Sequence, residues 1–207
     1  LELYKNGYFP MANQKSGEEI KLYRPLFRFI IPIVNFHTPK RLLSYFKKSN
    51  YEFKINTNFN KIIKLCQNIK RKDNESWIND TIINSYINLN KLGFCHSVEC
   101  FDDKKLVGGL YGVHIGSCFF GESMFSLKPN SSKFCLLYLL AILKKNNFLL
   151  LDSQFYNPHL EQFNAYEIKD TDYMFKLNEA LKKESKFEKM NNNQEVVNYI
   201  QSYNHKS

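Results

Sequence analysis

Residues 106–126, LVGGLYGVHIGSCFFGESMFS, constrain this chain more than any other stretch. Two short apolar runs are joined by a turn at Ile115, Gly116 and Ser117. The second run leads into one carboxylate, Glu122, followed by Ser123, Met124 and Phe125. This is the pattern of a β-hairpin. Gly108 and Gly109 occupy strand positions where side chains normally pack. Glycine there sacrifices packing and chain entropy, so it marks a bulge or the close approach of another group. An acid set among aromatic residues and missing side chains reads as the floor of a pocket. The plainer alternative is an ordinary core hairpin.

The rest of the chain mixes helical and strand periods. Residues 1–35 scatter Pro10, Pro25 and Pro32 among Tyr4, Tyr8, Phe9, Met11, Tyr23, Phe27 and Phe29. So many prolines exclude a long helix while the aromatics still require burial, which predicts a small lobe of short strands and turns, with a polar loop at 13–19. Thr38 before Pro39 predicts a helix with the threonine as its cap. Residues 51–55 alternate like a strand, and 58–69 return to helical spacing. After a charged loop at 70–75, Trp77 stands at the start of a helix that closes on Gly93. Strands are expected at 95–101, 106–114 and 118–120. Next come an apolar helix at 134–143, capped by Ser131 or Ser132, and a central strand at 148–151 buried on both faces. A helix at 171–183 and a polar, Asn-rich, loosely held tail at 191–207 complete the expectation. The fold class is α+β, with a small N-terminal domain over 1–35 and a larger domain over 36–190.

A chain of 207 residues buries a substantial core. Its formal charge of +9, from 29 Lys and Arg against 20 Asp and Glu, suggests an anionic partner such as nucleic acid. The five cysteines form no CxxC pair, which argues for reduced, buried thiols in a cytoplasmic setting. The five histidines form no HExxH or HxxxH pattern, so no metal site is expected. No apolar run reaches the roughly 18–20 residues that span a bilayer. The opening LELYKNGYFPM has no secretory pattern, so a soluble chain without a membrane partner is expected.

Four residues carry candidate chemistry. Asp152 ends the apolar run of Leu149, Leu150 and Leu151, at the carboxyl end of a strand where open sheets place ligands. Gln154 lies two residues on, and in an extended chain it points to the same side. An aspartate holding the Gln154 amide would leave the amide carbonyl aimed at a substrate amine; the alternative is an aspartate that caps a turn. Glu122 is suited to a substrate ammonium or to a surface ion pair. Trp77 is suited to stacking on a nucleobase or to plain core packing. His96 and His114 fall inside strand patterns and receive no role. Lys128 and Lys133 flank a helix N-terminus where phosphate could bind, though solvated lysine is the default there.

These residues resemble a known family, the leucyl/phenylalanyl-tRNA–protein transferases. The resemblance runs from YKNGYFPM at 4–11 through FHTPKRL at 36–42, the SWI around Trp77 and GFCHSVE at 93–99. It continues through LVGGLYGVHIG, FFGESMFS, the SSK at 131–133, LLLDSQF at 149–155 and HLEQFNAYEI at 159–168. It implies an N-terminal domain followed by a domain like that of the GCN5-related N-acetyltransferases. It also implies transfer of leucine or phenylalanine from aminoacyl-tRNA to the N-terminal amine of a protein, marking it for degradation by the N-end rule. The implied acceptors begin with Arg or Lys, or in related enzymes Asp or Glu. No cofactor is implied, and a monomer is favoured. By resemblance, Asp152 and Gln154 match the catalytic pair, with Asp152 polarising Gln154. Glu122 matches the acid that holds the donor's α-amino group, and Trp77 the tryptophan at the terminal adenosine. Leu110, Phe119, Gly121, Leu136, Leu139 and Leu151 match the lining of an apolar side-chain pocket, and Gly108 and Gly109 read as further room for the aminoacyl group.

The chain departs from the family where Met11 replaces a tryptophan of some members and Asn164 replaces a usual glycine. It also lacks the segment that usually precedes the first motif. Two rival readings are an acetyl-CoA-dependent acetyltransferase and a non-enzymatic RNA-binding module. The first needs a glycine-rich loop, and LKPNSSK at 127–133 has no glycine. The second leaves GESMF and LDSQ unexplained.

Overall fold

The computed structural model describes residues 1–12, 19–69 and 76–201. In chain order its elements are α1 (Glu2–Lys5), β1 (Phe9–Ala12), β2 (Ile20–Tyr23), β3 (Phe27–Ile31), α2 (Lys40–Lys48), β4 (Glu52–Ile55), α3 (Phe59–Asn68), α4 (Asp80–Lys91), β5 (Cys95–Asp102), β6 (Lys105–Ile115), β7 (Cys118–Ser126), α5 (Ser131–Lys145), β8 (Leu150–Asp152), β9 (Tyr166–Lys169), α6 (Asp170–Leu181) and α7 (Asn193–Gln201). A 3-10 turn, Pro158–Phe163, precedes β9. The fold is a mixed α+β arrangement. Most of the expected loops at 13–19 and 70–75 lie outside the described residues.

Seven strands form one sheet in the order β4-β5-β6-β7-β8-β3-β9. β4 to β7 run antiparallel, as short turns allow, whereas β7 and β8 pair in parallel. A parallel pair needs a crossover connection, and α5 supplies it. β1 and β2 make a separate two-stranded ladder, but β3 lies inside the large sheet between β8 and β9. Phe27–Ile31, expected within the small N-terminal lobe, is therefore structurally part of the main sheet.

Side-chain alternation divides the core into two faces. Phe29 and Ile31 of β3 face α2, α5 and α7, while Ile30 faces α3, α4 and α6. α5 is buried almost all round, from Phe134 to Leu143, because it sits between the sheet and α7. Each such apolar side chain contributes about 1.5–3 kcal/mol through burial. Within the tail expected to be loosely held, Asn193–Gln201 instead forms α7, with Val196, Val197 and Ile200 buried against the core; residues 202–207 lie outside the described residues. Sparse apolar residues at helical spacing suffice once a receptive face exists.

Helix ends differ from expectation in detail. α2 begins after Pro39, and the Thr38 hydroxyl is buried without a hydrogen-bond partner among the described residues, so it caps nothing. Neither serine caps α5 with its side chain. Asn130 takes the cap position in a left-handed conformation, and the Ser131 hydroxyl donates to Val107 O at 2.8 Å. Trp77 precedes the helix it was expected to start; Asn79 caps α4 by accepting from Ile82 N. Gly93 does close α4 at φ 82°. The strand after α5 begins only at Leu150, leaving Leu149 46% exposed.

The glycines of β6 serve packing. A Cβ on Gly108 would lie 2.6 Å from Ser131 Cβ at the start of α5, and one on Gly109 would meet Ile62 of α3 and Phe125. The expectation that these two glycines make room for a substrate is corrected: helices occupy that room. Gly108→Ala is therefore expected to lower stability by about 1–3 kcal/mol by forcing α5 away from β6. Urea denaturation measures this, and an unchanged midpoint would mean that the helix start yields freely.

Candidate active site

A single irregularity in the hairpin creates the site. Across β6 and β7, Tyr111 pairs with Ser123 but Gly112 pairs with Gly121, so Glu122 has no partner and forms a β-bulge. A bulge re-aims a side chain and resets the alternation beyond it. Phe120 and Phe125, an odd number of residues apart, accordingly both join the core on the α3 and α4 side. β7 pairs with β8 from Cys118 opposite Leu150 only as far as Phe120 opposite Asp152. Beyond that point the two strands no longer pair, and a cavity of about 300 Å³ opens between them.

The cavity has two chemically distinct walls. Ile31, Leu110, Leu136, Leu139, Leu151 and Leu160 supply an aliphatic wall, joined by Met124 and Gly121. A Cβ added at Gly121 would meet Asp152 O at 3.4 Å, an ordinary van der Waals contact. Trp77, Tyr111, Glu122 and Asp152 line the other side. The Tyr111 hydroxyl is buried with no partner among the described residues. Trp77 is half-buried, and its carbonyl accepts from Ala12 N at 2.9 Å, which fixes it beside β1. Of the expected lining, Leu110, Gly121, Leu136, Leu139 and Leu151 border the cavity. Phe119 does not: its ring fills the space beside Gly112 and stacks near Phe187 in the core. Gln154 lies at the edge, outside the lining itself.

Glu122 is buried at 9% exposure and accepts hydrogen bonds from Tyr4 Oη at 2.7 Å, Tyr86 Oη at 3.0 Å and Gln154 Nε2 at 3.0 Å. Among the described residues no Lys, Arg or His pairs with it, so it is not the surface ion pair that was its alternative. Burial pushes its carboxyl from 4.5 up to about 7, against the opposing pull of those three hydrogen bonds. The phenols of Tyr4 and Tyr86, buried first and then facing Glu122, are pushed well above 10.

Asp152 is held quite differently. Arg28 Nε lies 3.0 Å from each carboxylate oxygen, and Arg28 Nη2 lies 2.7 Å from Oδ2. Tyr173 Oη donates to Oδ2 at 2.9 Å. The expected contact between Asp152 and the Gln154 side chain is not made. Gln154 N, in the main chain, donates to Asp152 Oδ1 at 2.8 Å, while the side-chain amide donates to Glu122. The chain is not extended there, because Gln154 adopts φ 68°. Because the ionised Glu122 only accepts hydrogen bonds, it takes the amide nitrogen and leaves Gln154 Oε1 available.

Arg28, Tyr4, Tyr86 and Tyr173 were not singled out from the sequence. Arg28 had a signal: a lone arginine within the apolar run FRFII must find a buried partner. The tyrosines had none. His96 and His114 lie outside the site, 3.4 Å from one another, with His96 pushed down to about 4 chiefly by burial.

Glu122 makes stability depend on pH in a defined direction. Its folded value of about 7 lies above the ordinary 4.5, so its favourable contribution is complete below pH 4.5 and is lost as pH rises through about 7. The stability of Glu122→Gln relative to the parent should therefore rise across that window. Urea denaturation at both ends tests this, and a constant difference would mean that the carboxyl titrates normally.

Comparison with known proteins adds an independent finding. A family model described as leucyl/phenylalanyl-tRNA protein transferase matches residues 30–178. The leucyl/phenylalanyl-tRNA–protein transferase of Hyphomonas neptunium is 43% identical over 182 residues, covering 88% of this chain and 70% of that protein. The protein of the same name from Chlorobaculum tepidum is 38% identical over 187 residues, covering 90% and 96%. That of Maricaulis maris is 42% identical over 187 residues, covering 90% and 87%. One solved structure, a conserved protein of unknown function from Staphylococcus epidermidis, covers 81% of this chain and 62% of its own at TM-score 0.42 and 9% identity, too slight a likeness to assign the fold.

Proposed function

This chain belongs to the leucyl/phenylalanyl-tRNA–protein transferase family and is an aminoacyltransferase, and from that premise we propose that it transfers leucine or phenylalanine from aminoacyl-tRNA to the N-terminal α-amine of acceptor proteins, marking them for N-end rule degradation. The observation that carries the reading is an aliphatic cavity bordered by a buried carboxylate that no cation among the described residues neutralises. An amino acid esterified through its carboxyl group offers an apolar side chain and a free ammonium. The Leu110, Leu136, Leu139 and Leu151 wall takes the side chain, at about 0.8 kcal/mol per buried CH₂, and Glu122 takes the ammonium. Trp77 stacks on the terminal adenosine.

In the transfer, the acceptor amine nitrogen attacks the ester carbonyl carbon, the C–N bond forms, and the C–O bond to the tRNA ribose breaks. The amine loses a proton and the departing ribose oxygen gains one. The ester is already activated, so positioning does most of the work. Gln154 Oε1 receives a hydrogen bond from the attacking amine, and Asp152 fixes the main chain from which Gln154 projects. The acceptors favoured by resemblance begin with Arg or Lys. The sheet also supports kinship with the GCN5-related N-acetyltransferases: an antiparallel run β4-β5-β6-β7, then a helix, then a strand parallel to β7. The connection from β7 to α5 spans only residues 127–130 and contains no glycine, which weighs against a coenzyme A pyrophosphate cradle there.

Labelled leucyl-tRNA with peptides starting Arg, Lys, Asp and Glu tests the reading directly. Transfer to the Arg and Lys peptides is expected; no transfer to any, with acetyl-CoA binding instead, overturns it. Asp152→Ala and Glu122→Ala are each expected to abolish transfer while tRNA binding persists. Loss of folding in both would return these carboxylates to a structural role. With a formal charge of +9 the chain should lose tRNA affinity steeply as salt rises, and a flat salt profile in a filter-binding titration would contradict a phosphate-dominated interface.

A further inference from the structure

We infer that Arg28 and Tyr173 are positioning residues for the transfer, acting through Asp152 on the main chain of Gln154. The inference rests on the function proposed above and adds to it two residues that do not themselves line the cavity.

Asp152 is fully buried, and each of its oxygens has a fixed set of donors. Oδ2 receives Arg28 Nη2 at 2.7 Å, Arg28 Nε at 3.0 Å and Tyr173 Oη at 2.9 Å. Oδ1 receives Arg28 Nε at 3.0 Å and Gln154 N at 2.8 Å. A fork of this kind fixes the plane of the carboxylate as well as its place, because guanidinium donors are rigid and coplanar. Fixing the plane fixes the direction in which Oδ1 meets the Gln154 N–H. The guanidinium is itself immobilised: Nη1 donates to Gly7 O at 2.8 Å, and its carbon lies 4.7 Å from the Phe9 ring centroid and 4.4 Å from that of Tyr173.

Gln154 has reason to need such a hold. It is a non-glycine residue at φ 68°, a conformation that persists only where its surroundings impose it. The main chain around it is strapped to β3 on both sides: Ser153 N donates to Phe29 O at 2.9 Å, and Phe29 N donates to Gln154 O at 3.0 Å. The Arg28 clamp is the third tether, and the one that reaches the Gln154 N–H through a side chain. The left-handed turn swings the Gln154 side chain back to Glu122, where Nε2 is held at 3.0 Å. Gln154 thus bridges two carboxylates, one by its main chain and one by its amide. Displacing Asp152 therefore displaces Oε1 without touching the aliphatic wall that takes the donor side chain.

Two conservative variants of the full chain test this. Tyr173→Phe removes one hydrogen bond and keeps the ring beside Arg28; Arg28→Lys keeps the charge and loses the fork. Each is assayed for folding by circular dichroism, for affinity toward 3′-phenylalanyl-adenosine, and for transfer rate at saturating phenylalanyl-tRNA and Arg-started peptide. The saturating rate is expected to fall about tenfold in Tyr173→Phe and up to about 100-fold in Arg28→Lys, as misplacement of a positioned group predicts. Donor affinity should stay within about twofold. In a Gln154→Ala background both substitutions should cost less than about twofold further, because their effect passes through Gln154. Folded variants with parental rates, equal losses of donor affinity and rate, or losses that add fully to that of Gln154→Ala would each overturn the inference. Should Arg28→Lys fail to fold, the cycle with Tyr173→Phe decides alone. Absence of transfer by the parent chain would instead refute the proposed function.

Discussion

The buried ion pair between Arg28 and Asp152 is the constraint around which this fold closes. Both side chains are almost wholly withdrawn from water, at 1% and 0% exposure. Desolvating two charges is costly, and their attraction repays it only when every remaining donor and acceptor is satisfied. Here that condition gathers four separate parts of the chain: the turn at Gly7, β3, the end of β8 and the first turns of α6. Removing one partner of such a pair typically costs about 3–5 kcal/mol, because the other is stranded. The pair sits where β3 joins both of its neighbours, with Ile30 opposite Asp152 of β8 and Arg28 opposite Ile168 of β9.

The second organising feature is the contrast between the two carboxylates. Asp152 is neutralised by the protein, whereas Glu122 is surrounded only by neutral donors and is pushed up to about 7 by burial. They lie on opposite sides of the gap where β7 and β8 cease to pair, and Gln154 spans them. A site so arranged has one fixed charge that shapes the backbone and one uncompensated charge that awaits a cation. The bulge at Glu122 produces the second, because without it the side chains beyond Gly121 would alternate in the opposite phase.

Much of this was legible in the sequence, and what was not has physical reasons. The hairpin, the strand ending on Asp152 and the helices with a clear 3.6 period could be read, because local pattern and burial agree there. The left-handed turn at Asn164, φ 63°, suits asparagine, which tolerates that conformation better than most residues. Gly108 and Gly109 were misread because a missing Cβ marks a close approach without saying what approaches; Ser131 and Ile62 do. The tail at 191–201 looked solvated because Val196, Val197 and Ile200 are few, and only the exposed flank of α5 gives them a place to pack. The clamp on Asp152 was invisible because Arg28 and Tyr173 are 124 and 21 residues away, a pairing that only the sheet order creates.

The central claim, that Glu122 receives the ammonium of an amino acid whose side chain fills the aliphatic wall, meets its most direct test in a pair of ligands. The affinity of 3′-leucyl-adenosine is to be compared with that of its isostere in which the α-ammonium is replaced by a hydroxyl, at a pH above 7 where Glu122 is ionised. The account predicts that the hydroxyl compound binds at least about tenfold more weakly, the order expected for a charge-assisted hydrogen bond in a buried site, and that Glu122→Gln erases the difference. Equal affinity of the two ligands for the parent protein would contradict it.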